Sequence, residues 1–335
     1  MKRLKRLYTA STRYLRNAGI FIRTHWRRLL ITAAVIFAAF LIGVAVWASS
    51  FYFDFWHAKS ISHEVKSNTT KVVTDITGLY AIPAQDIIVP HTTEEIRQAV
   101  ATHSRVSIGG GRYSMGGQTA SRKAVQIDMR EFNKIISIST TTKEITVQAG
   151  IRWRAIQDAI DPYDLSVQIM QTYSNFTVGG SLSVNVHGRY MGLGPVIMSV
   201  KEIVIVLADG SIVNASPDVN RDIFYSAIGG MGGIGVITEV TLGLADNVNV
   251  IRERVKMPIT EYKQYFFEHI RNSTTTIFHN GDIYPMDFDS VSAVSWNVTD
   301  KAPNTETRLI PRKKDYWKER IVGHHERMAM GQSHP

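Results

Sequence analysis

From residue 29 to residue 53 the chain runs 25 residues without a charge, LLITAAVIFAAFLIGVAVWASSFYF, before Asp54 ends the run. A helix of that length spans the roughly 30 Å hydrocarbon core of a bilayer, so the sequence predicts one transmembrane segment over 29–53. Its N-terminal flank, residues 1–28, carries Lys2, Arg3, Lys5, Arg6, Arg13, Arg16, Arg23, Arg27 and Arg28 and no acid. The positive-inside rule then puts this basic tail in the cytoplasm and everything after residue 53 across the membrane, in a periplasmic or other extracytoplasmic space. Trp47, Tyr52 and Trp56 suit the far interface. Two rival readings use the same residues. Val46-Trp47-Ala48 resembles the cleavage site of a signal peptide, although the apolar run exceeds an ordinary signal core, and Arg27-Arg28 resembles a twin-arginine export signal.

The basic tail also explains the net charge of +9, because the remainder of the chain has 29 bases against 29 acids. A neutral body with one basic end gives no support to nucleic-acid binding. With no cysteine in the chain, disulfides and thiolate metal sites are excluded, and the expectation is that no metal is bound.

Residues 54–78 are polar and read as a linker, with the folded part beginning near Leu79. Ile87-Ile88-Val89 is a strand candidate, Thr92 or Thr93 before Glu94-Glu95-Ile96 reads as a capped helix start, and a second strand follows over 105–108. Further strands are expected over 124–128, 135–139, 144–149, 200–207 and 236–242, a helix over 153–160, and a turn at Ala208-Asp209-Gly210. The pattern changes at Val248 to a strand over 250–257 and a helix over 260–271, the opening of a second domain. The fold class is therefore α+β.

Three stretches carry chemistry. In the first, Gly109-Gly110-Gly111-Arg112-Tyr113-Ser114-Met115 follows a strand, and consecutive glycines let several backbone N–H groups face one concavity, as in a pyrophosphate cradle. No Gly-Lys-Ser/Thr follows, so it is not a triphosphate-binding P-loop; a flexible surface loop is the competing reading. In the second, Phe176 to Arg189, Gly179-Gly180 permits close approach to a ligand, and Ser181, Asn185 and His187 are spaced to share a face. A lone histidine such as His187 is more often a structural group than a catalyst. The third, Gly230-Met231-Gly232-Gly233-Ile234-Gly235, satisfies the GxGxxG pattern, but the residues after it alternate as a strand where a dinucleotide fingerprint needs a helix. A Rossmann site is therefore disfavoured.

In this order the three stretches resemble the flavin-binding domain of the vanillyl-alcohol oxidase and p-cresol methylhydroxylase (PCMH-type) family, with its aldonolactone oxidase and decaprenylphosphoryl-ribose oxidase relatives, over about residues 80–247. The resemblance implies two α+β subdomains with FAD between them. It implies that Gly109, Gly110, Gly111, Arg112, Tyr113, Ser114 and Met115 wrap the pyrophosphate, and that Thr177, Val178, Gly179, Gly180 and Ser181 run beside the pyrophosphate and the isoalloxazine ring. Val184, Asn185, His187 and Gly188 would line the same channel with Thr172 nearby, and Ile237 would meet the adenine through its backbone. Many relatives tether the flavin to a histidine just before the serine of the first loop. Tyr113 stands there in this sequence, so the FAD is expected to be non-covalent.

The domain organisation expected is a basic tail (1–28), an anchor (29–53), a linker (54–78), the FAD domain (79–247) and a partial cap or substrate domain (248–335). The resemblance implies an oxidoreductase acting on a CH–OH group of a sugar, sugar lactone or other alcohol, with oxygen or a membrane quinone as electron acceptor. No catalytic base is assigned; Arg189 and Tyr190 are candidates by position alone. The alternative is a flavin-binding protein or inactive remnant, because the cap and the return segment over the flavin look incomplete.

Overall fold

The computed structural model describes residues 26, 28, 30–49, 71–78, 80–283 and 288–302. Most of the basic tail, the first part of the linker and residues 303–335 lie outside them. Two units separate, residues 1–64 and 65–335. In the first, α1 (Leu30–Ser49) is one 20-residue helix with its side chains exposed along its length, and at 1.5 Å per residue it is about 30 Å long. It is long and apolar enough to cross a membrane.

The second unit starts earlier than the sequence suggests. Strand β1 (Val72–Thr74), inside the stretch read as linker, pairs antiparallel with β2 (Ala81–Pro83). The signal is hidden because it rests on one carboxylate: Asp75 Oδ1 accepts from Thr77 N (3.0 Å), Thr77 Oγ1 (2.6 Å) and Gly78 N (3.0 Å). Both Asp75 and Thr77 are buried.

A small parallel sheet follows in the order β3 (Asp86–Ile88), β5 (Val125–Asp128), β4 (Val106–Gly109), with α2 (Thr93–Thr102) as the crossover from β3 to β4. The helix starts where the sequence says it should. Thr92 Oγ1 accepts from Glu95 N at 3.2 Å, and the Glu95 carboxylate accepts from His91 N at 2.7 Å, the reciprocal pattern of a capping box. Ile96, Ala99 and Val100 are its buried stripe. Every residue of the central strand β5 is buried, as expected of a parallel strand covered on both faces.

The larger sheet is antiparallel, in the order β10 (Ile212–Ala215), β9 (Val200–Leu207), β11 (Gly235–Asp246), β7 (Glu144–Gln148), β6 (Ile135–Ser139), with β8 (Leu165–Val167) joining the far end of β11. The strand β11 is the hub, since β7 and β9 flank it. Between these strands lie the helices α3 (Trp153–Ile160), α4 (Val178–Ser183) and α5 (Arg221–Ala227). Trp153, Ile156 and Ile160 of α3 pack with Ile145, Val147, Ile203, Ile205 and Val240 in the main core. Alternation turns Val206 away from Ile203 and Ile205, and a bulge in β11 between Ile237 and Glu239 puts Val236 on that side although Val240 faces the main core, so both valines enter a second core with α2 and β5. The two sheets are thus tied through the middle of β9 and the start of β11.

The last sheet has the order β12 (Val250–Pro258), β14 (Ser290–Val298), β13 (Thr276–Ile283). The helix expected over 260–271 is present, one residue earlier in the chain and not α throughout. It runs as α6 (Ile259–Tyr265) and then widens into a π turn over Phe266–Ile270, closed by Arg271 N to Phe266 O at 2.8 Å. The wider turn leaves Ile270 buried while Phe267 stays exposed.

Candidate functional site

The glycine loop leaves the end of β4 and meets the start of α4 at a single hydroxyl. Thr177, 2% exposed, caps α4: its Oγ1 accepts from Gly180 N and also from Gly111 N, each at 3.3 Å. One oxygen therefore pins together two glycine stretches 66 residues apart. The glycines are required by this contact. A Cβ on Gly110 would overlap that oxygen, and one on Gly180 would come within 2.9 Å of it. Gly179 seats α4 on the end of β7, with Gly179 N donating to Ala149 O at 2.7 Å and no room for a side chain beyond 3.0 Å from Ala149 Cβ.

Beside this junction lies a cavity of about 330 Å³. Gly110, Gly111, Arg112, Tyr113 and Ser114 form one wall, and Thr177, Gly179, Gly180, Ser181 and Val184 a second. A third comes from Met231, Gly232, Ile234, Gly235 and Ile237. The GxGxxG stretch thus lies on the cavity although the strand β11 and not a helix follows it. Gly229, Met231 and Gly232 have positive φ, and Met231 N bonds Ser183 O at 2.8 Å, which folds this turn against the end of α4.

Seven of the eighteen residues named from the sequence lie off the cavity wall. Gly109 is buried at the end of β4, where a Cβ would strike the Gln126 amide. Val178 is in the main core. Met115, Thr172 and His187 are exposed, and Gly188 is hemmed in by Met170 O. Ser181, Asn185 and His187 do not share a face. The Ser181 hydroxyl accepts from Trp153 Nε1 at 2.8 Å and donates to Gln171 Oε1 at 2.9 Å. Asn185, at φ 46°, uses its side-chain oxygen to cap Ile197 N at 3.2 Å, and the His187 backbone bridges Pro195. Residues that sequence reasoning missed include Ile108, Thr119, Met129, Ala149, Phe176 and Ala227. All are ordinary small or apolar side chains, which carry no signal by type.

Ser181→Ala is expected to cost about 1–3 kcal/mol, because it strands the buried Trp153 N–H and the Gln171 acceptor together. Thermal melts of the two proteins check this; an unchanged melting temperature would mean water replaces the hydroxyl.

Charge at the cavity is fixed from behind. Asp128, at the end of β5, receives Arg112 at 2.8 Å and both Arg130 Nη2 (2.6 Å) and Nε (2.8 Å). Burial pushes the Asp128 carboxyl up, but the Arg130 hydrogen bonds and the Arg112 charge outweigh burial and hold it below its ordinary value. Burial in turn pulls the Arg112 guanidinium down, opposed by the Asp128 charge. Arg112 holds a positive φ of 62° and is one of the eight non-glycine residues that do so among the described ones, a strain of the kind that recurs at ligand sites.

Tyr113 packs its ring on Phe176 (centroids 4.8 Å) and Tyr173 (5.4 Å). A Cβ on Gly111 would come within 2.9 Å of that ring, so Gly111 is what lets it fold back against the loop. Among the described residues Arg112 and Tyr113 are the ionisable side chains on the cavity wall. The arrangement can enclose and orient a ligand, and it offers no carboxylate or imidazole to move a proton.

Comparison with known proteins agrees with this geometry. A family model described as an FAD binding domain matches residues 84–216. A putative D-arabinono-1,4-lactone oxidase of Neurospora crassa is 30% identical over 180 residues, covering 52% of this chain and 32% of the relative. The L-gulonolactone oxidase of Bos taurus is 24% identical over 220 residues, covering 64% and 49%. The alditol oxidase of a Streptomyces species is 24% identical over 229 residues, covering 68% and 49%. The chain spans 32–49% of the length of these relatives. Over residues 84–216 this chain matches an FAD binding domain, and it is similar there to the flavin-dependent lactone and alditol oxidases named above.

Proposed function

We propose that the chain is a membrane-anchored, FAD-dependent oxidoreductase that oxidises a CH–OH group of a sugar, sugar lactone or other alcohol, with oxygen or a membrane quinone taking the electrons. The observation that carries this reading is the meeting of three glycine-bearing stretches on one cavity. The residues fit the cofactor. Packing against Thr177 and Tyr113 requires glycine at 110 and 111, which leaves bare backbone on the cavity wall for a pyrophosphate, and Arg112 supplies a cation that Asp128 keeps in place. The cavity of about 330 Å³ falls in the ~300–1,000 Å³ range of small-molecule sites. A more open cavity of about 710 Å³ shares Ile108, Gly232, Ile234 and Gly235 with it, giving an extended ligand room along its length.

In this reading residues 110–114 wrap the pyrophosphate, and Thr177 with residues 179–181 runs beside it toward the flavin ring. Val184 continues the channel, and the Ile237 backbone meets the adenine. The parallel and antiparallel sheets are the two subdomains of the FAD domain, the sheet of β12, β14 and β13 opens the cap, and α1 is the anchor with the basic tail on the cytoplasmic side. Bound FAD supplies the hydride acceptor. The protein orients it: Thr177 holds the two loops at fixed spacing, Arg112 opposes the phosphate charge, and Tyr113 with Phe176 keeps water from the cavity wall. The names of the relatives, lactone and alditol oxidases, support the substrate class.

With Tyr113 at the position of the tethering histidine, the flavin is expected to be dissociable. Acid precipitation of the purified full chain should leave a yellow supernatant and a colourless pellet. A yellow pellet would mean a covalent bond elsewhere, and a protein that takes up no FAD would refute the reading. Oxygen and quinone reduction assays with lactones and alditols then test the reaction.

A further inference from the structure

Strand alternation puts Arg252, Arg254 and Lys256 of β12 on one face of the last sheet, beside Trp296, Val294 and Ser292 of β14. The opposite face carries Met257, Val291 and Ala293 and is covered by Tyr262 and Tyr265 of α6. A fourth cation reaches the first face from outside the sheet. The guanidinium carbons of Arg189 and Arg252 lie 5.6 and 5.7 Å from the centre of the same Trp296 ring. Arg189 comes from the 186–191 segment. That segment starts at the cavity wall with Val186 and docks on β13 through His279 N to Arg189 O and Met191 N to Ile277 O, each 2.9 Å.

Among the described residues Arg189, Arg252 and Lys256 have no carboxylate partner. Asp282 is the carboxylate that the three strands place on this face, opposite Ser292, and it accepts from Asn280 Nδ2 at 2.6 Å. That bond fixes the amide orientation and leaves Asn280 Oδ1 buried without a hydrogen-bond partner. Basic residues on an edge strand also guard it against pairing with other chains, but this accounts for β12 alone. It does not explain Arg189, brought in from a loop to the same ring.

We propose that this face binds an anionic polyol, a sugar acid or sugar phosphate, whose negative group is held by Arg189 and Arg252 at the Trp296 ring, with Lys256 four residues along β12 adding to the positive field. Guanidiniums suit a carboxylate or phosphate because their N–H groups present a planar fork. The inference rests on the reading above for its chemistry, in that the CH–OH donor itself carries the charge, but it is tested by binding alone.

The test uses the full chain in detergent, with and without FAD, titrated with D-gluconate, D-glucose 6-phosphate and neutral D-glucitol and followed by calorimetry. At least one of the two anions is expected to bind at least about tenfold more tightly than glucitol, and to lose most of that margin in 0.5 M salt as charge pairing is screened. Which anion binds identifies the charged group. Arg252→Gln and Lys256→Gln, both at exposed positions, should each weaken that anion and leave glucitol unchanged. Equal affinities for all three ligands, no binding of either anion, or variants indistinguishable from the parent would overturn the inference. Anion binding by protein that takes up no FAD would uphold this site and refute the flavin reading. Uptake of FAD without anion binding would do the reverse.

Discussion

The Gly110→Val chain is expected to be isolated without flavin and to bind added FAD about 100-fold more weakly than the parent. The Cβ of residue 110 would overlap Thr177 Oγ1 and stand 3.3 Å from Thr177 Cβ, and Thr177 is buried and cannot swing aside. The new side chain must either enter the cavity or drive Thr177 off, losing its bonds to Gly111 N and Gly180 N. Two such bonds at about 1 kcal/mol each, with at least about 1 kcal/mol of overpacking, make about 3 kcal/mol that binding must recover to bring the two loops back to the spacing FAD needs, or roughly two factors of ten in affinity. Absorbance of the purified protein and a fluorescence titration with FAD measure this. Flavin content equal to the parent's would remove the first glycine loop from the site.

The second large effect is on stability. Asp128→Ala is expected to destabilise the fold by about 3–5 kcal/mol, because removing one member of a buried ion cluster strands the others. The Arg112 side chain is only 11% exposed, while Arg130, at 45%, recovers part of its loss from water. The pH dependence follows from the sign of the shift. The folded carboxyl lies below its ordinary value, near 3.9 in the unfolded chain, so its contribution is present above about pH 4. It is lost as pH falls through the lower, folded value. Melting curves between pH 7 and pH 3 should show the parent losing stability at the acid end and the variant, already weaker at pH 7, losing less. Parallel curves would assign the acid response to other groups.

Where the fold was legible, a local device announced it. The capped start of α2 was readable because Thr92 and Glu95 satisfy the helix end within the segment itself. The strands over 135–139 and 200–207 and the helix over 153–160 show their periodicity in place. Strand β1 was not legible, because three residues and an Asp75 turn gain their meaning only from pairing with β2 and from Ile76 N bonding Arg112 O at 2.9 Å. The cavity shows the same division. Its glycines mark themselves by needing space, and eleven of the residues expected at the site do line it. Ser181, Asn185 and His187 were grouped by spacing alone, yet a short helix ending at Ser183 and a left-handed Asn185 send their side chains to Trp153, Ile197 and the surface. Trp296 and its two arginines stand over 100 residues apart at the extremes, a distance that no local pattern bridges.

The position of β11 at the centre of the large sheet governs how the chain must come off the ribosome. The edge of β7 that will receive β11 is complete at Gln148, but its partner Glu239 is 91 residues further on. At roughly 5–20 residues per second, that edge waits about 5–20 s for its neighbour. During that interval Ile145 and Val147, bound for the core, have no central strand beside them. A pause in synthesis between residues 148 and 239 would lengthen the exposure of these side chains to aggregation.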